Sequence, residues 1–189
     1  MSQSSSAQVR WTISDVDLLA ADEWKRYEII DGELFVTRAP HSRHQTTMGK
    51  IYRALQNWSE ERGSGEAIPV PGVIFSQEDS VIPDVVWVSQ ERLATILDEA
   101  GHLTGAPELV VEVLSPGTTN ERRDREAKLK LYSSQGVQEY WIADYQVQRV
   151  EVYRREAAQL KRVVTLLGDD NLTSPLLAGF ECPIQRFFQ

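Results

Sequence analysis

Two stretches of this chain are apolar almost without interruption, and each is broken by a single carboxylate. They are Val81-Ile82-Pro83-Asp84-Val85-Val86-Trp87-Val88 and Leu109-Val110-Val111-Glu112-Val113-Leu114. Short runs with no polar alternation read as strands covered on both faces, which requires a sheet buried between other layers. With side chains alternating along a strand, Asp84 shares a face with Ile82, Val86 and Val88, and Glu112 shares one with Val110 and Leu114. An ionised carboxylate in such a place must be paired, protonated or bound to a cation. Two of them at similar depth on neighbouring strands repel unless a metal lies between, and hard oxygen ligands suit Mg²⁺ or Mn²⁺. The alternative is that each makes a structural salt bridge at a strand end.

The remaining pattern supplies the other layers. Ser14 is placed to cap a short helix running from Asp15 to about Trp24. YEIIDGELFVT reads as two strands joined at Asp31-Gly32, a hairpin signal. A helical spacing of Met48, Ile51, Tyr52, Leu55 and Trp58 predicts a helix over 43–62, stopped at Gly63-Ser64-Gly65. Strands are expected at 67–76, 81–88 and 108–114, with a helix near 90–99. Thr119 to Gln135 reads as a helix closed by Gly136. EYWIAD, RVEVYRR and KRVVTLL read as strands, and a short tail ends in Phe187-Phe188. Helices and strands mixed in this order predict a single α/β domain with a mixed sheet flanked by helices, over 13–189, behind a flexible tail over 1–12.

Charge and composition narrow the function. No apolar run approaches the ~18 residues a membrane-spanning helix needs. The lone Cys182 excludes an internal disulfide and a cysteine zinc cage, and suits a cytoplasmic protein. A formal net charge of −8 argues against an extended phosphate-binding surface. Local basic clusters at Arg122, Arg123, Arg125, Lys128 and Lys130, and at Arg154, Arg155, Lys161 and Arg162, are either a basic groove on an acidic molecule or solvated faces.

The helix after Glu112 adds the third chemical group. At 100° per residue, Asp124, Lys128, Leu131 and Tyr132 fall on the side facing the sheet, and Lys130 points into water. Lys128 is then either a partner for the buried carboxylates or one half of an ordinary Asp124–Lys128 helix pair, worth a few tenths of a kcal/mol.

The succession Tyr27-Glu28-Ile29-Ile30-Asp31-Gly32-Glu33, His44, Pro83-Asp84-Val85, Pro107 to Pro116, Asp124-x-x-x-Lys128-x-x-x-Tyr132 and Gly136-Val137-x-Glu139-Tyr140-Trp141 resembles the Uma2 family of bacterial restriction-endonuclease-like proteins. The resemblance implies the PD-(D/E)XK nuclease fold, with Asp84 and Glu112 as its acids. Position 114, where that motif's lysine is expected, is Leu, so the resemblance implies a lysine moved to the next helix as Lys128. Asp84, Glu112 and the backbone carbonyl of Val113 are then expected to bind Mg²⁺ or Mn²⁺. Glu28 or Glu33 is a candidate further ligand, with Glu28 preferred, and His44 a candidate contact to phosphate or a water ligand. The expected function is metal-dependent DNA endonuclease, acting as a homodimer through the Asp31-Gly32 hairpin or the aromatic tail. The alternatives are an inactive module of the same fold that binds nucleic acid or a protein partner, and an assembly protein with internally paired carboxylates.

Overall fold

The computed structural model describes residues 9–19 and 25–189. Its centre is a six-stranded sheet in the order β10-β9-β8-β7-β6-β3. The strands are β3 (Gly65–Pro69), β6 (Val85–Ser89), β7 (Leu109–Val113), β8 (Glu139–Asp144), β9 (Arg149–Glu156) and β10 (Gln159–Leu167). Within it β7 and β8 run parallel, and every other pairing is antiparallel. A second, four-stranded antiparallel sheet has the order β2-β1-β5-β4. It is built from β1 (Lys25–Ile30), β2 (Glu33–Arg38), β4 (Val73–Ser76) and β5 (Asp79–Val81). The mixed α/β architecture expected from the sequence is the one observed.

Alternating side chains of the central strands feed two cores, one on each face. Val85, Trp87, Leu109, Val111 and Trp141 pack on α2 (Ser42–Arg62), through Ile51 and Leu55, and on the C-terminal residues Phe180 and Phe187. Val86, Val88, Val110, Tyr140 and Ile142 pack on Leu131 and Tyr132 and on Val73 and Val81 of the smaller sheet. Each fully buried Leu or Val contributes about 1.5–3 kcal/mol, so this double burial is what makes β7 apolar at four of its five positions. Trp87 Nε1 donates to Ser59 Oγ at 2.7 Å and pins α2 to the sheet. Arg155, from one of the expected basic clusters, is structural: it donates to the carbonyls of Ser133 and Val137 and closes the end of α5 (Leu129–Gln135).

Several expectations need correcting. The first helix is α1, Ile13–Asp17, and its cap is Thr12, which forms a reciprocal capping box with Asp15. The expected continuation to Trp24 runs into residues 20–24, outside those described. Of the expected tail, residues 1–8 are likewise outside, whereas Arg10 pairs with Asp31 and Glu78, and Trp11 N bonds Gly32 O. The expected strand 67–76 is two strands in different sheets, broken where Val70 takes φ 54°. The expected strand 81–88 is also divided, because Pro83 has no N–H to extend a ladder. Asp84 therefore sits in the bend before β6 rather than inside a strand. The helix expected over 43–62 is α2, Ser42–Arg62, and its left-handed stop at Gly63 is as expected. Phe187 is buried in the core, so the tail packs on its own molecule.

Candidate active site

The bend that breaks the strand at Pro83 turns Asp84 toward the end of β7. Its Oδ2 accepts the Val113 N–H at 2.8 Å and lies 3.2 Å from His44 Nε2. His44 is in the first turn of α2, which begins after the His41 cap, so its place follows from where that helix starts. Burial opposes the charge on Asp84, but His44, the Val113 amide and Lys128 together hold its pKa below the ordinary value.

Glu112 enters from β7 on the face expected, among Val110, Leu114, Leu131 and Tyr132. Its Oε1 accepts from Lys128 Nζ at 2.8 Å and from Tyr132 Oη at 2.9 Å. Burial pushes its pKa up to about 8 against the pull of Lys128, and Asp124, Asp84 and Glu28 add to the rise. Glu28 arrives from β1; its Oε1 accepts from Ile82 N and from Lys128 Nζ, both at 2.8 Å. Glu33, the other candidate, is exposed and elsewhere.

Lys128 is 1% exposed and Lys130 points outward, as the helix-face reading expects. The simple Asp124–Lys128 pair is a poor description, however. That contact is 3.9 Å, whereas Glu28 and Glu112 are each at 2.8 Å. Burial works against the Lys128 charge, but Glu112, Glu28 and Asp124 outweigh it and raise the lysine above its usual range. It stays an ammonium.

The helix that carries Lys128 is not uniformly α-helical. Between α4 (Thr118–Arg122) and α5 lies a π-helical segment, Arg123–Lys128. Hydrogen bonds of the i→i+5 kind bring residues five apart onto one face. Arg123 therefore joins Lys128 inside, bonding Asp124 Oδ1 at 2.9 Å and lying 3.7 Å from Glu28. The sequence reading left Arg123 among residues of a basic groove or solvated face; it is 9% exposed and lines the site.

Asp84, Glu112, Lys128, Glu28, His44 and Val113 thus meet in one pocket, with Arg26 and Arg38 of the hairpin at its rim. The space within is about 40 Å³, room for a cation and a water or two but not for a base. Four buried carboxylates, Glu28, Asp84, Glu112 and Asp124, face the two fixed cations Lys128 and Arg123. Acids therefore outnumber fixed cations in a low-dielectric place, and Glu112 answers the crowding by keeping its proton up to about pH 8, a proton that a bound cation would displace. His44 Nδ1 and Asp124 Oδ2 are also buried without a hydrogen-bond partner. Crowded carboxyl groups and an all-oxygen donor set fit a hard divalent ion. Among the described residues no group of three His, Cys, Asp or Glu side chains is already arranged for a metal, so the fit is to a site of two carboxylates completed by backbone, water or substrate.

Comparison with known proteins agrees with this architecture. The profile of the family described as "Uma2: Putative restriction endonuclease" matches residues 13–185. A crystal structure described as a putative nuclease belonging to DUF820 from Anabaena variabilis ATCC 29413 superposes with a TM-score of 0.74 at 20% identity. The match covers 94% of this chain and 97% of that one. The type IIG restriction endonuclease BpuSI matches with a TM-score of 0.42 at 12% identity, over 80% of this chain and 16% of that one, too weakly to carry an argument. Among curated proteins, none matches.

Proposed function

The chain belongs to the Uma2 family, and from that premise we propose that it is a nuclease cutting DNA phosphodiester bonds with Mg²⁺ or Mn²⁺, its lysine moved to the helix after β7. The observation that carries this reading is the crowding of four buried carboxyl groups around only two fixed cations, where Asp84 and Glu112 meet Lys128. Asp84, Glu112 and the Val113 carbonyl are the groups that would hold the ion. When bound, the ion supplies charge neutralisation at the phosphate and a more acidic water.

The chain's own residues supply the rest. Lys128 has three N–H donors; Glu28 and Glu112 take two, leaving one to aim at a phosphate oxygen or the attacking water. Because its charge is held firmly, it acts as a donor stabilising the developing negative charge, not as the base. Tyr132 fixes Glu112 by donating to the oxygen that also receives Lys128. His44 orients Asp84 from the opposite side. Arg26 and Arg38 at the rim are positioned to receive the neighbouring phosphates.

Incubation of plasmid and single-stranded DNA with Mg²⁺, Mn²⁺ or EDTA tests the proposal. Cleavage with metal, none in EDTA, and loss in Asp84→Asn and Glu112→Gln is the expected result. Undiminished cleavage by Asp84→Asn, or none under any metal, overturns it. A second reading, a nuclease-fold module that binds without cutting, is favoured by one observation: Lys128 already bridges Glu28 and Glu112. DNA binding without cleavage is its signature.

A further inference from the structure

Away from the site, α2 and the C-terminal helix α6 (Gln185–Phe188) line a groove rich in basic residues. Lys50, Arg53 and Asn57 are spaced three and four apart, so they share one face of α2. Across from them stands Arg186, held in place because the next residue, Phe187, is anchored in the core. These four residues and the buried Cys182 line about 420 Å³ of open space, and no carboxylate lines it. Acids outnumber bases 28 to 20 in this chain, and Arg10, Arg149 and Lys161 are each paired with a carboxylate. Among the described residues, Lys50, Arg53 and Arg186 join no ion pair. Three unpaired cations facing one another repel, and a polyanion relieves the repulsion.

We propose that this groove binds the sugar-phosphate backbone of double-stranded DNA, several nucleotides from the bond held at Asp84 and Glu112; the inference rests on the nuclease reading for its choice of polyanion. Helix α2 links the two places, since it carries His44 at one end. A rise of about 1.5 Å per residue sets Lys50 roughly 9 Å and Arg53 roughly 14 Å further along the axis. At about 100° per residue Lys50 and Arg53 also lie on the far side of α2 from the buried His44, so a duplex reaching both places must pass around the start of that helix.

Fluorescence anisotropy with a labelled 20-base-pair duplex in EDTA, over a salt series, tests it. The triple variant Lys50→Gln/Arg53→Gln/Arg186→Gln should bind about tenfold or more weakly at low salt, and its slope of log K against log salt should fall by about 2–3, near 0.9 per lost phosphate contact. Lys161→Gln, whose lysine is paired with Glu156, should bind as the unmodified protein does. If thermal melting shows the triple variant destabilised, Arg53→Gln alone, at an exposed position, should lower the slope by about one. An unchanged slope in the variants overturns the proposal. So does polyglutamate binding as tightly as DNA with the same loss in the variant, which would mark an acidic protein partner. Binding is read where no metal-dependent cleavage occurs. A protein that binds through this groove yet never cuts therefore refutes the nuclease reading and leaves the groove, while cutting with unaltered variant binding refutes the groove alone.

Discussion

Replacing Lys128 with methionine should turn an ordinary pH dependence of stability into a steep one. The side chain is 1% exposed and its Nζ lies 2.8 Å from both Glu28 and Glu112. Methionine keeps the volume and removes the charge, leaving carboxylates buried against one another. Removing one partner of a buried ion pair costs about 3–5 kcal/mol. For a chain of this size that corresponds to a fall in melting temperature of roughly 6–20 °C. The loss should depend on pH because protonation can replace the missing cation. Glu112 has a folded pKa of about 8, above its ordinary 4.5, so the native state binds this proton more tightly than the unfolded chain. Its contribution to stability is full below 4.5 and disappears as the pH rises through 8. Without Lys128 the carboxyl is pushed higher still. The gap between variant and unmodified protein should therefore be widest near pH 8–9 and shrink toward pH 5. Thermal melts across that range measure it, with Lys130→Ala, on the exposed side of the helix, as the control that should move little. A Lys128→Met protein that melts within 2 °C or so of the parent at pH 8.5 would refute the reasoning, because the carboxylates would then need no cation.

Other consequences follow from the same geometry. Mg²⁺ or Mn²⁺ at about a hundred times its Kd should stabilise the protein by about 2.7 kcal/mol, and Asp84→Asn or Glu112→Gln should abolish the shift in melting temperature. Tyr132→Phe deletes the hydroxyl that donates to Glu112; calorimetry should show a loss of about 1–3 kcal/mol, with DNA cleavage reduced less than by Asp84→Asn. Cleavage by Lys128→Met, assayed with saturating metal at a temperature where circular dichroism shows it folded, should fall about 10²-fold or more. Leu114→Lys in that background offers the ammonium from the face of Glu112 and should restore part of the activity. Sedimentation at micromolar concentration checks the expected homodimer, for which the Asp31-Gly32 hairpin remains the proposed contact, since Phe187 is committed to its own core.

Asp84 and Glu112 were legible in the sequence because each is a charge inside an apolar run, where burial makes it expensive, and Lys128 because the helical period sets it on the face toward the sheet. Their partners were less legible, for separable reasons. Glu28 and Glu33 flank the same turn and carry the same group. They differ only in that β5 leads to Ile82, whose N–H reaches Glu28. Arg123 was misplaced by the helical period itself: at 100° per residue it points away from Lys128, and only the π-helical segment returns it. The division of the strand at Pro83 was visible as a proline, but the bend it creates matters through contacts of Asp84 with Val113 and His44. Those contacts join segments far apart in sequence, which local pattern does not reach. The groove between α2 and α6 was out of reach for the same reason, since Arg186 meets Lys50 only after the chain has folded back.

Within the large sheet β7 and β8 are parallel neighbours, and parallel strands cannot be joined by a tight turn. The chain must leave the end of β7, travel back along the sheet and re-enter at Glu139, and Lys128 rides on that return path. Residues 28, 44, 84, 112 and 128 thus come from five separate places, brought together by contacts that are slow to form because long loops must close first. A chain still emerging during synthesis holds its acids on unfinished strands with no ammonium beside them. The proposed centre therefore exists only in the completed fold, a timing set by connectivity alone.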